Sequence, residues 1–220
     1  MTAGRAKTAK DASPVAAPRP PVLAAPDLGR LRDGEVDELS AGEMVEDLRL
    51  VEADLSGSDL SALTLLSCRS SEVFANDTDL AAARLVDSRI GAWELYDADV
   101  ESLLMEDCRL GFTNLAGTAV RDLLIRATRI DELDLSSIDA QRVRFEDCRV
   151  GTLRLHGGSL SDIDLRGLEM RVVSGVGSLA GATINSQQLS ELAPLLAQHL
   201  GLRVTDRDHA QNVAARSRRA

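Results

Sequence analysis

The chain has 220 residues, 44% of them apolar but only 2% aromatic, and its 35 acidic against 25 basic residues give a net charge of -10. That length and apolar fraction suffice for one sizeable domain, while the acidic balance argues against a protein that binds nucleic acid directly through a basic surface. No run reaches the roughly 18 apolar residues of a membrane helix, and the N-terminal stretch lacks the apolar core of a signal peptide, so a soluble cytoplasmic protein is expected. Three cysteines, an odd number, are not a disulfide framework.

Residues 1–26 hold Pro14, Pro18, Pro20, Pro21 and Pro26 among alanines and scattered Lys and Arg, without an apolar period, and are expected to be a disordered leader. In residues 27–44, Leu28, Leu31, Val36 and Leu39 could shield the open end of the domain that begins at Val45, which predicts an N-terminal cap segment.

From Val45 the chain has a period of five. Positions 45, 50, 55 and so on to 170 make 26 sites, of which 25 are Val, Leu, Ile, Met, Ala or Phe and one is Ser70. The 25 sites two residues earlier, Leu48 to Leu168, are all uncharged. All 13 basic and 25 acidic residues between 45 and 170 therefore fall in the other three slots. Neither a helix, with 3.6 residues per turn, nor a flat strand, with two, keeps one slot in five inward for so long. The backbone must turn a corner every five residues, burying two side chains and exposing three, with successive turns stacked at the strand spacing of roughly 4.8 Å.

Segments such as Ala53-Asp54-Leu55-Ser56-Gly57, Ser58-Asp59-Leu60-Ser61-Ala62 and Ala98-Asp99-Val100-Glu101-Ser102 resemble the pentapeptide-repeat proteins, whose motif is a small residue, Asp or Asn, Leu, then two variable positions. The resemblance implies an all-β fold, a right-handed quadrilateral parallel β-helix of about six to seven rungs with four pentapeptides in each. A second period of 20 agrees with four sides: Asp87-Ser88-Arg89-Ile90-Gly91, Asp107-Cys108-Arg109-Leu110-Gly111 and Asp147-Cys148-Arg149-Val150-Gly151 fall into one column.

Past Met170 the register slips by one within residues 174–178, which places the end of the β-helix at residue 185. Residues 186–204 then predict a helical cap. Leu189, Leu192, Leu196 and Leu200 make an apolar stripe suited to covering the last rung, Gly201 ends it, and Pro194 predicts a kink or two short helices. Residues 205–220 are expected to be a disordered basic tail.

The outward slots hold the candidate sites. Arg49, Arg69, Arg89, Arg109, Arg129 and Arg149 form a column with two readings, a cationic stripe for an acidic partner and, the commoner outcome, a set neutralised in an ion-pair lattice with Asp47, Asp87, Asp107 and Asp147 on one side and Glu52, Glu72 and Glu132 on the other. Asp59, Asp79, Asp99 and Asp139, with Asp54 and Asp134 on a neighbouring face, form an acidic ladder. Its two readings are aspartates that satisfy turn amides and a negative ladder that fits a groove built for a phosphate backbone. Leu66, Val86, Leu104 and Leu124 fall in outward slots and predict an apolar contact face, suited to a homodimer. Cys68, Cys108 and Cys148 share a column but lie two rungs apart, about 10 Å, too far for a disulfide or a common zinc ion.

His156, His199 and His209 have no metal-ligand spacing, and no catalytic, metal-binding or cofactor-binding residue is expected. The function class is accordingly a non-enzymatic protein-interaction scaffold. The alternative is the one the resemblance implies: its fluoroquinolone-resistance members are dimeric rods that mimic DNA and engage DNA gyrase. Apart from Phe145, no centre of this chain is aromatic, whereas those members often use Phe there.

Overall fold

The structure, a computed structural model, describes residue 39 and residues 41–205. The expected leader, most of the N-terminal cap and nearly all of the basic tail lie outside the described residues. Two compact units are present, one ending at Asn185 and one beginning at Ser186.

The first unit is a parallel β-solenoid of about six turns. Its strands form an eight-stranded and a seven-stranded sheet, and every paired strand is parallel to its neighbour. The register is uniform: Val45 pairs with Leu65, Leu65 with Leu85, Leu85 with Met105 and Met105 with Ile125, each 20 residues on. Backbone N–H groups of one turn thereby find carbonyls of the turn before or after, as Leu55 N–H does at Phe74 and Arg109 N–H at Ser88, which pairs main-chain groups that would otherwise be buried without partners.

The corners explain the period. Every non-glycine residue with positive φ, from Asp47 to Asp162, lies two residues after a centre, as do Gly57, Gly117 and Gly157. Aspartate, serine and glycine recur there because short polar side chains and glycine enter the left-handed region at least cost. The corner at Glu52, Glu72 and Glu132 needs no such residue, because strands such as Arg129–Asp134 run through it.

Centres and the slots two before them fill the interior with one continuous apolar core from Val45 to Leu168. Leu95, Leu115 and Leu133 have no exposure at all, and Trp93 is accommodated at an inward slot. A void of about 10 Å³ among Leu123, Leu135, Phe145, Leu153, Leu155 and Ile163 holds no more than a single water needs.

Buried polar groups complete the Cys68 column. Ser88 Oγ accepts the Cys68 N–H (3.0 Å) and donates to the Val86 carbonyl (2.8 Å); Thr128 Oγ1 does the same for Cys108 N–H (3.2 Å) and the Arg126 carbonyl (2.8 Å). The thiols of Cys68, Cys108 and Cys148 are free, donate to nearby carbonyls, and have pKa values pushed up by burial, to about 11 for Cys108. Ser88→Ala is expected to lower stability by about 1–3 kcal/mol, because it leaves the Cys68 amide buried without a partner. Ser88→Thr, which copies the residue at 128, should melt close to the wild-type temperature in a thermal unfolding experiment.

At the C-terminal end of the unit, Leu168–Ser174 closes the second sheet and a 3-10 turn follows at Val176–Leu179. Thr183 then pairs beside Asp164, an offset of 19 rather than 20.

The second unit contains one α-helix, Ser186–His199. It is not divided: Pro194 lies inside it, so of the two forms expected from the sequence the pair of short helices is corrected to one continuous element. Proline forfeits one i to i−4 hydrogen bond, and a helix with its other bonds intact tolerates that loss. The predicted apolar stripe is buried only in part: Leu192 is buried, whereas Leu189 is 52% and Leu200 is 67% exposed.

Candidate functional site

The outward slots form columns that run up the solenoid, with neighbouring side chains one strand spacing apart, about 4.8 Å. In the second sheet Arg49, Arg69, Arg89, Arg109, Arg129 and Arg149 stand in direct register, followed by Glu169. All six arginines are exposed. Among the described residues only Arg149 has a counterion, Glu169, at 2.8 Å. The expected neutralising lattice with Asp47, Asp87, Asp107, Asp147, Glu52, Glu72 and Glu132 is corrected: among the described residues, none of the other five arginines has an acidic oxygen within 4.0 Å.

The reason is directional. Ion pairs in this solenoid run mostly between turns, at offsets near 20: Arg121 with Glu101 (3.8 Å), Arg126 with Glu106 (3.3 Å) and Glu146 (3.5 Å), Arg142 with Asp122 (2.7 Å), and Arg154 with Glu132. A residue's nearest outward neighbour is the one above or below it, and in the Arg column that neighbour is another arginine. Asp47, Asp87, Asp107 and Asp147 are the left-handed corner residues, where the chain changes direction before the arginine.

The ion-pair lattice lies instead in the first sheet. Glu106, Arg126, Glu146, Arg144, Asp164 and Arg166 link in an unbroken chain of contacts from 2.7 to 3.6 Å. The Arg166 guanidinium holds the Asp164 carboxyl below its ordinary pKa. Beside this chain, Arg142 grips both oxygens of Asp122 at 2.7 and 3.0 Å. The alternation of sign at 106, 126 and 146 was the sequence signal for this lattice, and sequence reasoning missed it.

The acidic ladder lies two corners on from the Arg column, at the equivalent slot. Asp59 pairs with Asp79, Asp79 with Asp99, Asp99 with Ala119, and Ala119 with Asp139. Asp54, Asp59, Asp79, Asp99 and Asp139 are exposed and Asp134 is half-buried. Three of the six cap turn amides: Asp54 accepts from Ser56 N–H (3.1 Å), Asp59 from Ser61 N–H (3.0 Å) and Asp134 from Ser136 N–H (2.8 Å). Bonds from Ser56 and Ser61, side chain first and then backbone, hold the Asp54 and Asp59 carboxyls below their ordinary pKa. Asp139 accepts a hydrogen bond from the Ser159 hydroxyl. Among the described residues, no ladder carboxylate has a cation within 4.0 Å.

The expected apolar contact face is corrected. Leu66 and Val86 are half-buried, but Leu104 is only 5% and Leu124 only 8% exposed, and neither belongs to the continuous core. They lie in Asp99–Glu106 and Ala119–Arg126, which pass the corners at Ser102 and Asp122 with no left-handed residue. Arg84 and Arg144 flank the two leucines in register, and the Arg84 Nε is itself buried, so that arginine lies along the sheet surface. The four residues do not make one exposed patch.

Among the described residues no group of three or more His, Cys, Asp or Glu is placed to hold a metal ion. No helix of the described residues is long and apolar enough to cross a membrane.

No protein-family model matches the chain, and no curated protein matches its sequence. Among solved structures it is similar to full-length QnrB1, described as a plasmid-mediated fluoroquinolone resistance protein, with 16% identity over 76% of this chain and 96% of that one and a TM-score of 0.39. Two trypsin-treated variants of QnrB1 match at 18% identity over 80% of this chain and 96% of that one, TM-score 0.31, and at 16% over 80% and 99%, TM-score 0.27. With identities and scores this low, no residue role or activity passes from those structures to this chain. On the strength of its own five-residue motif and twenty-residue register, the chain resembles the pentapeptide-repeat proteins.

Proposed function

We propose that the protein is a non-enzymatic interaction scaffold, a rigid solenoid that presents fixed columns of charged side chains to a protein partner. The observation that carries this reading is the ladder of Asp59, Asp79, Asp99 and Asp139: exposed carboxylates, the first three one turn apart and the fourth two turns further on, past Ala119, without a cation beside them among the described residues. Charges left unneutralised in a regular line are suited to steering and orienting a partner. A packed interior with a void no larger than a water supports binding at the surface rather than chemistry inside.

A second reading is an acidic DNA mimic that binds DNA gyrase or another DNA-binding protein. The same ladder favours it, as does the excess of 25 acidic over 13 basic residues between 45 and 170. The motif's resemblance to the fluoroquinolone-resistance members is what suggests gyrase.

The test compares the immobilised chain with its Asp59→Asn/Asp79→Asn/Asp99→Asn/Asp139→Asn variant, captured proteins being identified by mass spectrometry. Capture of a defined protein that drops about tenfold or more in the variant supports the scaffold, a loss of roughly 1.4 kcal/mol of binding. Equal capture by both proteins removes the ladder from the account. In a supercoiling assay a mimic directed at gyrase inhibits the enzyme; no effect at large molar excess eliminates gyrase as the partner in the second reading and leaves the first reading standing.

A further inference from the structure

Six arginines in direct register are an energetic oddity, because like charges facing each other on adjacent strands destabilise a sheet. Five of them, Arg49, Arg69, Arg89, Arg109 and Arg129, have no counterion within 4.0 Å among the described residues. The longest run of acidic residues in direct register among the described residues is Asp59, Asp79 and Asp99 of the Asp ladder, which occupies the same slot of the pentapeptide ten residues, or two corners, later. In a four-sided coil those two faces are opposite, so one molecule cannot bring its own ladder to its own column.

We infer that the Arg column is the docking surface for a second copy of this chain, whose Asp59, Asp79, Asp99 and Asp139 ladder lies along it. Spacing selects this occupant. Both lines repeat at about 4.8 Å, so three consecutive carboxylates meet three consecutive guanidinium groups in step. An extended peptide shows carboxylates on one face every second residue, about 6.6 Å, and an α-helix about every 5.4 Å; both fall out of step within a few rows. The column is a narrow positive line between Asp47, Asp87, Asp107 and Asp147 on one side and Glu52, Glu72 and Glu132 on the other.

The contact is heterologous: each copy uses its column on one neighbour and its ladder on another, so association is open-ended rather than a closed dimer. Arg–carboxylate geometry favours two parallel hydrogen bonds in each pair. Individual exposed pairs contribute little and are screened by salt, so assembly depends on several engaging together and dissolves as ionic strength rises. The inference deepens the scaffold reading by naming a partner, and it rests on that reading.

The experiment is sedimentation velocity of the full chain at low and at high salt. Species heavier than the 23.5 kDa chain, growing with concentration at low salt and collapsing to single chains at high salt, are expected. Arg69→Gln/Arg89→Gln/Arg109→Gln and Asp59→Asn/Asp79→Asn/Asp99→Asn should each sediment as single chains while keeping the wild-type circular dichroism. Mixed together, the two variants should form a one-to-one dimer and nothing larger, because only one intact column and one intact ladder remain to meet.

A wild-type chain that is monomeric at low salt overturns the inference, as does an assembly that resists salt, an assembly that survives in either variant alone, or a mixture that stays monomeric. Wild-type monomers retained by polyglutamate reassign the column to an acidic peptide, and retention by oligothymidylate reassigns it to nucleic acid; both overturn the second copy as occupant. A monomer that still captures a defined protein through its Asp ladder leaves the scaffold reading standing.

Discussion

Leu115→Asp is expected to abolish the folded state at neutral pH. Leu115 is a centre in the middle of the solenoid, with 0% exposure, and it sits in the continuous core. Removing it forfeits roughly 1.5–3 kcal/mol of burial. The carboxylate that replaces it would lie in an apolar interior with no cation, at a further penalty of several kcal/mol. The sum is comparable to the whole stability of a domain, about 5–15 kcal/mol.

Position matters as well, because each turn of a solenoid touches only its neighbours. A rupture at Leu115 separates two short stacks of turns, neither of which buries enough surface, whereas Leu55→Asp near the N-terminal end should cost less. The penalty has a defined pH dependence. A buried Asp has its folded-state pKa raised, so the variant's deficit relative to wild type should be large at pH 7 and shrink as the pH falls and the carboxyl takes up a proton. Urea unfolding followed by circular dichroism measures both effects. A Leu115→Asp protein with the wild-type midpoint would mean that the centres do not point inward.

The fold was legible because burial leaves a mark at every repeat. Leu55, Leu95 and Leu135 share one column and are all buried, and the uncharged slot two before them is buried beside them at Ala53, Trp93 and Leu133. The corner slot was legible in outline, as Asp, Ser or Gly at 47, 57, 67 and 77, since each of those residue types tolerates the left-handed region.

Charge pairing was not legible. Reading along the chain put Asp87 next to Arg89, two residues away, but in a solenoid the partner that counts lies 20 residues away, at one strand spacing. Arg126 finds Glu106 and Glu146 on that rule, and Arg89 finds only Arg69 and Arg109. The burial of Leu104 and Leu124 was hidden for a related reason: their slot is outward in every turn, and the corners at Ser102 and Asp122 depart from the left-handed conformation that 62, 82 and 142 adopt in the same column.

Gly175→Val is expected to open the last turn of the solenoid while leaving the middle folded. Gly175 has φ +81, a conformation in which a β-branched side chain is strained by itself, on the order of 1–3 kcal/mol. A Cβ there would stand 1.6 Å from the Leu155 carbonyl oxygen and 2.6 Å from its carbon, both backbone atoms that cannot turn aside. Gly57 separates the two causes: its φ is +71, but nothing lies within 4 Å of a Cβ, so Gly57→Ala should cost only the conformational part.

At Gly175 the chain must shift by several tenths of an ångström or more, and the 3-10 turn that starts there shifts with it. That turn sets the offset of 19 by which Leu165 N–H reaches the Thr183 carbonyl (2.9 Å) and Thr183 N–H reaches the Ile163 carbonyl (2.8 Å). Losing those bonds uncovers Ile163 and Leu165, both buried. Hydrogen exchange should therefore show the Leu165 and Thr183 amides of Gly175→Val losing protection, while Met105, Leu115 and Ile125 keep theirs. Unchanged protection at Leu165 would mean that the backbone around Leu155 yields freely and that the register shift does not depend on a residue without a side chain.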